Sequence, residues 1–254
     1  MSNKKKSSTG PGSKAAARAR AAEVVAAERR KARRRSLLWQ AGIGLGALVI
    51  IGGAVVVVLQ QRAERAENAV GPAAVPSDGG FLVGDPDAPV TVQVVEDFQC
   101  PACQAFEAAA SEQLEGYAEG SEVNVEYRGV AFLDRMSSTD YSSRALNLSA
   151  CTMEDGPDVW SELHRQLYLQ QPSEGGAGLT DDELVSIAVA AGADEDRVAA
   201  CQEADTWGAW VEATTDAATD DGVQGTPTLF VNGEQLDSGD PADLQAAVDE
   251  ALAS

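Results

Sequence analysis

The pattern of apolar and polar positions predicts two β-strands and an intervening helix. The β-branched run from Ala88 to Phe98, APVTVQVVEDF, follows turn residues and predicts a buried strand. A helix is predicted from about Pro101 to Ala118, where apolar residues recur on one side. Residues 121–132, SEVNVEYRGVAF, alternate with a period of two and predict a second strand. A strand, a helix and a strand in this order indicate a parallel βαβ unit.

Residues from about 133 to 222 show helical patterns only. Four segments carry them: SSTDYSSRALNLSACTM, PDVWSELHRQLYLQQ, LTDDELVSIAVAAG and DEDRVAACQEADTWGAWVEATTDAATDDG. The β-rich run TPTLFV then leads through Asn232 and Gly233 into a short strand, as in a hairpin. A final helix is capped by Asp240, with Pro241 at its first position. We therefore predict one α/β domain over residues 81–254, with a helical insertion at about 133–222.

An apolar segment near the N-terminus has a different character. Leu37 to Leu59 are 23 residues without a formal charge, close to the roughly 20 that a helix needs to cross about 30 Å of hydrocarbon. A cleaved signal peptide is the alternative, but the basic segment before it is far longer than a usual n-region, and no small-residue cleavage site follows. We predict a single transmembrane helix at residues 37–59 and a linker at residues 60–80.

Charge is distributed unevenly on the two sides of this segment. Residues 1–36 hold 12 Lys and Arg against 2 Glu, a balance of +10, and predict a disordered basic arm. Residues 60–254 hold 38 Asp and Glu against 7 Arg and no Lys, a balance of −31. An excess of basic residues before a span places the N-terminus in the cytoplasm and the acidic domain outside the cell membrane. No recognition-helix pattern accompanies the arm, so nucleic-acid binding is not predicted.

Two of the four cysteines, Cys100 and Cys103, form a C-x-x-C pair between the first strand and its helix. A disulfide across so small a loop constrains the unfolded chain little, so a purely structural role is disfavoured. Cys100 at the helix N-terminus is favoured as a thiolate, the attacking species, and Cys103 one turn later is the resolving thiol. The carboxylates of Glu96, Asp97 and Glu107 oppose this ionisation, although solvent screens those that are exposed.

The remaining cysteines, Cys151 and Cys201, lie in helical patterns without reactive neighbours. The residues alone leave two interpretations open: a structural disulfide closing about 50 residues, which stabilises by about 4 kcal/mol, or two buried thiols. A zinc site is not predicted, because these cysteines stand apart and the single histidine, His164, fits an ordinary partly buried helix residue. We predict no metal and no cofactor.

The motifs DFQCPAC and GVQGTPTLFVNG, separated by the helical block, resemble those of the DsbA-like thiol-disulfide oxidoreductases of the thioredoxin superfamily. The resemblance covers about residues 81–254 and implies a thioredoxin fold with an inserted helical domain. It implies that Cys100 is the nucleophile, Cys103 the resolving thiol and Pro227 a cis-proline beside them. Thr226 would lend backbone groups to an extended substrate.

Similar actinobacterial members imply further features of the chain. One is a structural bridge between Cys151 and Cys201. The other is a membrane partner, similar to vitamin K epoxide reductase or to DsbB, that reoxidises the reactive pair.

Two positions depart from the family pattern. Ala102 stands where the best-known oxidases have His, which leaves the oxidising strength open. Val94 stands where many members have a buried acid that serves proton transfer with the resolving thiol. Glu96, on the same strand face, is a candidate proton relay in its place, the alternative being a polar residue near the strand end.

These patterns together predict a membrane-anchored enzyme with its catalytic domain outside the cytoplasm. We predict that it exchanges disulfides with secreted or cell-envelope proteins that carry cysteine pairs, and that it acts as the disulfide donor. A reductase or isomerase using the same pair is the first alternative. A non-catalytic binding or sensing ectodomain with a permanently closed pair is the second.

Overall fold

The computed structural model describes residues 50–60, 71–73, 75 and 79–254. The chain divides into two units, Met1–Gln61 and Arg62–Ser254. In the first unit, residues 50–60 form a helical segment, α1. The predicted basic arm at residues 1–36, residues 37–49 of the predicted transmembrane helix and most of the predicted linker lie outside the described residues. Within the described part, none of the helices combines the length and the apolar character that crossing a membrane requires.

A mixed five-stranded sheet forms the centre of the described part of the second unit. The two longest strands, β2 and β3, run parallel and each adds a short antiparallel strand on its outer side, so that the spatial order is β1-β3-β2-β4-β5. The bounds are Phe81–Val83 for β1, Val90–Glu96 for β2, Val123–Gly129 for β3, Thr228–Val231 for β4 and Glu234–Gln235 for β5.

The predicted βαβ unit is confirmed. Helix α2, Pro101–Ala118, connects the parallel strands β2 and β3. Together with the C-terminal helix α8, Pro241–Leu252, it covers one face of the sheet, where Val92, Leu114 and Leu244 are fully buried. The opposite face of β2 carries Val95, which packs in a smaller cluster with Val130, Val223 and Ala218, the last of which lies in the insertion. The sheet is therefore buried on both faces, as its apolar strands predict.

The helical insertion contains five α-helices: α3 at Tyr141–Thr152, α4 at Pro157–Leu169, α5 at Asp181–Ala190, α6 at Glu195–Glu203 and α7 at Gly208–Asp220. Short 3₁₀ turns at Asp134–Met136 and Met153–Asp155 flank α3. The sequence predicted one helical segment where α6 and α7 lie. The chain breaks there because Asp205 adopts a φ of 47°, and the Trp207 backbone N–H donates to Asn147 Oδ1 at 2.8 Å.

The first strand and the end of the linker were not predicted as packed elements. Strand β1 has only three residues and pairs with β3 through Phe81 and Tyr127, too short a segment for any periodicity. Pro72, Gly79 and Gly80 are buried in the structure. Part of the segment predicted as a linker therefore packs against the domain.

Candidate active site

The two free cysteines of the described chain lie at the start of α2. Cys100 is the N-cap residue of the helix, with an extended backbone, and Pro101 occupies the first helical position. Its backbone N–H donates to the Asp97 carbonyl at 2.9 Å, which closes a turn between β2 and the helix. Cys103 is in the first turn and has no exposed surface. The fold thus gives the two thiols different environments.

Because of these environments, the two thiols differ in pKa. The pKa of Cys100 is lowered to about 5, first by hydrogen bonding with Cys103 and further by Thr226 and the backbone N–H groups of Cys103 and Ala102, against the opposing effect of burial. Such N–H donors are the unpaired groups expected at a helix N-terminus. Burial is the largest cause that raises the pKa of Cys103, and the charge on Glu96 adds to it. Cys100 is therefore the more acidic thiol of the pair.

A loop before β4 lies against Cys100. The Thr226–Pro227 peptide bond is cis, and Cys100 Sγ donates to the Thr226 carbonyl at 3.3 Å, across a separation of 126 residues. An open groove of about 500 Å³ continues along this loop, lined by Gln224, Thr226, Pro227 and Gln235 among others. The loop that contacts Cys100 Sγ therefore also borders an open groove.

The segment after α4 also supports the cysteines, which no sequence pattern indicated. Gln171 Nε2 donates to the carbonyls of Phe98 and Cys100, both at 3.0 Å. From the other side, the buried Gln99 donates to the Ser173 carbonyl at 3.4 Å. A side-chain amide in a helix-terminal loop has no local signature of this role, so only the tertiary structure reveals it.

Asp97, which the sequence analysis treated as a carboxylate opposing ionisation, is a structural residue in this turn. It is fully buried, and its oxygens accept hydrogen bonds from Ser142 Oγ at 2.6 Å and from the Gln99 and Leu133 backbone N–H groups at 2.8 and 2.9 Å. Burial raises its pKa to about 6 despite these donors. Solvent screening of exposed carboxylates does not apply to these three residues, because Asp97, Glu96 and Glu107 are all buried.

Glu96, the candidate proton relay, lies in a pair with His164. His164 Nε2 is 2.5 Å from Glu96 Oε1, and His164 Nδ1 is 4.0 Å from Glu107 Oε2. The prediction of an ordinary, partly buried His164 is wrong: its exposed fraction is 4%, and it contacts carboxylates of two other elements. The role of Glu96 in proton transfer stays a prediction.

The other two cysteines are joined far from this site. Cys151 of α3 and Cys201 of α6 form a disulfide with a Cα–Cα distance of 6.0 Å. Of the two interpretations left open by the residues, the structure has the bridge. It closes a loop entirely within the helical insertion.

Comparisons with known proteins match this domain. Residues 76–250 match the family model described as Thioredoxin. The serine/threonine-protein kinase PknE of Mycobacterium tuberculosis is 29% identical over 158 residues, which span 60% of this chain but only 28% of the kinase. Disulfide bond formation protein D of Bacillus subtilis is 26% identical over 61% of this chain and 68% of that protein. The oxidised Mycobacterium tuberculosis DsbA structure is 27% identical, with a TM-score of 0.60, and covers 69% of this chain and 93% of that one.

Proposed function

Since the chain belongs to the thioredoxin family, which residues 76–250 match, we propose that it is a thiol-disulfide oxidoreductase that uses Cys100 and Cys103. One observation carries this proposal: the pKa of the Cys100 thiol is lowered to about 5, whereas burial raises that of Cys103. A structural pair needs no such difference. An exchange reaction does, because one sulfur meets the substrate and the other acts from within.

The proposed reaction donates a disulfide to the substrate. A substrate thiolate attacks Cys100 Sγ of the oxidised pair, a mixed disulfide forms, and Cys103 leaves as a thiolate that takes up a proton. A second substrate thiolate then attacks the substrate sulfur of the mixed disulfide. The new substrate disulfide departs, and Cys100 is released as a thiolate. The substrate loses two electrons and two protons, and the enzyme pair gains the electrons.

The low pKa of Cys100 favours this direction over reduction. Thiols of low pKa are good leaving groups, so the second step is fast. A stabilised thiolate also stabilises the reduced protein, and a stable reduced form makes the disulfide a stronger oxidant. Disulfide bond formation protein D carries the corresponding activity in its name. Ala102, the neutral residue between the cysteines, gives no added cationic support, so the hydrogen bond with Cys103, followed by Thr226 and the helix N–H groups, lowers the pKa of Cys100.

Substrates are proposed to be secreted or cell-envelope proteins with cysteine pairs. The groove beside Cys100 is open and lined by polar and backbone groups, which suits an extended, unfolded segment better than a small molecule. Thr226 and Pro227 would position the segment so that one of its cysteines reaches Cys100.

Membrane anchoring is part of the same proposal. It is supported by the 23 uncharged residues from Leu37 to Leu59 and by the basic residues before them. In this arrangement the basic arm is cytoplasmic, and residues 60–80 join the span to an extracytoplasmic catalytic domain at residues 81–254. Reoxidation would come from a membrane protein similar to vitamin K epoxide reductase or DsbB. Alkylating added cysteines on each side of residues 37–59 in intact cells tests the orientation.

The equilibrium of the Cys100–Cys103 pair with glutathione tests the direction. Protein in which Cys151 and Cys201 are replaced by alanine reports on this pair alone. A reduction potential near −120 mV, about that of DsbA, supports donation, and one near −270 mV, about that of thioredoxin, contradicts it. Oxidised protein should also form disulfides in a reduced, unfolded substrate, and Cys100→Ser should abolish this. A reduced Cys100 that does not react with alkylating agents would favour a non-catalytic domain.

A further inference from the structure

Three buried ionisable side chains from β2, α2 and α4 lie close together. Glu96 ends β2, Glu107 lies in the second turn of α2, and His164 lies in α4. Their exposed fractions are 2%, 7% and 4%. One oxygen of each carboxylate and one ring nitrogen of His164 all lie within 4.8 Å of one another. We refer to these residues as the acid–imidazole cluster.

Aromatic side chains hold the imidazole of the cluster in place. The Trp160 ring stacks on it at 4.9 Å with an interplanar angle of 23°. The ring centroids of Tyr127 and Tyr168 lie 4.6 and 5.1 Å away. This packing fixes the plane of the ring, so the nitrogen facing Glu96 is set by the fold. A preset ligand geometry is a requirement of a specific metal site.

The carboxylates have unused capacity. Among the described residues, Glu96 Oε2 and Glu107 Oε1 are buried without a hydrogen-bond partner. Burying carboxylate oxygens without partners is costly, and buried charges in proteins are paired or bind metals. The imidazole ring of His164 has at most two N–H donors. It therefore does not satisfy all four oxygens of the Glu96 and Glu107 carboxylates. A divalent cation bound by one oxygen of each carboxylate would compensate the charge of both groups.

The dimensions of the cluster fit a small transition-metal ion. Bonds of about 2.0–2.2 Å in a tetrahedral arrangement place neighbouring ligand atoms about 3.4 Å apart. This value lies between the 2.5 Å of the His164–Glu96 pair and the 4.8 Å that bounds the cluster. An ion would replace the proton shared by His164 and Glu96, and the two carboxylates would rotate to bring one oxygen each into its coordination sphere.

The cluster also has a route to solvent. His164 and Glu107 line a cleft of about 50 Å³ between α2 and α4, together with Ser111, Glu115 and Arg165. This cleft shares no lining residue with the groove along the loop before β4. It admits water-sized molecules, which would complete the coordination of an ion.

We propose that Glu96, Glu107 and His164 form a binding site for a divalent transition-metal ion, with zinc as the ion that fits best. A ligand set of one imidazole and two carboxylates suits zinc, since imidazole disfavours magnesium and calcium and no thiolate draws softer ions. The ligands come from segments separated by up to 68 residues. This is why no spacing pattern indicates the site. The proposal does not rest on the oxidoreductase activity.

Calorimetric titration of the full-length chain with Zn²⁺ in detergent micelles tests the proposal. The Cys100–Cys103 pair is kept as a disulfide, because free thiolates bind zinc themselves. One Zn²⁺ is expected to bind per chain. Loss of an outer-shell partner weakens metal binding by about 10- to 100-fold. Glu107→Gln and His164→Gln each remove a direct ligand, so each should weaken Zn²⁺ binding by at least this much. Glu112→Gln, the same change at an exposed position of the same helix, should retain wild-type affinity.

The single histidine of the chain gives a readout that does not require a variant to fold. Because His164 is the only histidine, ¹⁵N-histidine labelling reports on it alone, and Zn²⁺ should shift one ring nitrogen signal at one equivalent. Co²⁺ should give visible bands of nitrogen and oxygen ligation without thiolate charge transfer. No saturable binding to the disulfide form, or binding that leaves the His164 signals unchanged, would overturn the site. Disulfide donation by metal-free protein would remain intact in either case.

Discussion

Replacing Cys103 by alanine tests why Cys100 is acidic. Hydrogen bonding with Cys103 is the largest of the causes that lower the pKa of Cys100 to about 5. At neutral pH a thiol with this pKa is about 99% ionised, whereas one with an ordinary pKa near 9 is about 1% ionised. Cys103→Ala removes the largest cause and leaves Thr226 and the helix N–H groups. The pKa of Cys100 should therefore rise to a value between about 5 and 9.

The rate of alkylation by iodoacetamide as a function of pH measures this change, because only the thiolate reacts. The Cys151–Cys201 disulfide is left intact, so that only the reactive pair is modified. Cys103→Ser is the matched control: its hydroxyl still donates to the Cys100 thiolate, and its midpoint should lie nearer to wild type. A wild-type midpoint near 9, or an unchanged midpoint in Cys103→Ala, would refute the assignment of Cys103 as the main stabilising partner.

Three further predictions concern stability. Replacing Cys151 and Cys201 by alanine should lower the free energy of unfolding by about 4 kcal/mol without moving the alkylation midpoint of Cys100; a shifted midpoint would show that the bridge shapes the reactive site. The pKa of Cys100 is lower in the folded protein than in the unfolded protein, so the thiolate stabilises the folded, reduced protein at high pH. This contribution to the free energy of unfolding is absent from the oxidised protein, and it should be lost as pH falls through about 5. Between neutral pH and pH 5 the difference in free energy of unfolding between reduced and oxidised protein should shrink by up to about 2 kcal/mol after solvent screening. Urea titrations of the two forms at each pH measure it. A difference that does not change with pH would contradict a stabilised Cys100 thiolate. Gln171→Ala removes two hydrogen bonds to buried carbonyls and should cost about 1–3 kcal/mol in the same assay, whereas the exposed Gln170→Ala should cost almost nothing.

Local chemistry explains which parts of the fold were predictable. Helix α2 occupies Pro101–Ala118, the predicted range, because proline favours its first turn and the chain after it leaves helical geometry near two glycines. The parallel strands were readable because β-branched residues recur there. The break between α6 and α7 could not be predicted from the local sequence, because it depends on a hydrogen bond from the Trp207 backbone N–H to Asn147 of a different helix.

The site shows the same division between local and tertiary information. The N-terminal position of Cys100 follows from neighbouring residues alone, which is why its environment was inferable. Gln171 contacts the turn between β2 and α2, and His164 contacts Glu96 of β2, only after the helical insertion folds back. Their local patterns are those of ordinary helix residues, so helical periodicity placed them correctly in a helix or at its end and said nothing about their partners.

The 126-residue separation between Cys100 and Thr226 has a consequence for biosynthesis. A chain made from its N-terminus exposes both thiols of the pair before the loop that contacts Cys100 exists. The helix N-terminus can form early, but the Thr226 contact arises only after the helical insertion has been synthesised. A hydrogen bond with the Thr226 side chain is one of the causes that lower the pKa of Cys100, so Cys100 lacks this contribution until the loop has been made. The surroundings of Cys100 are therefore complete only when translation is nearly finished, after both Cys151 and Cys201 have been synthesised.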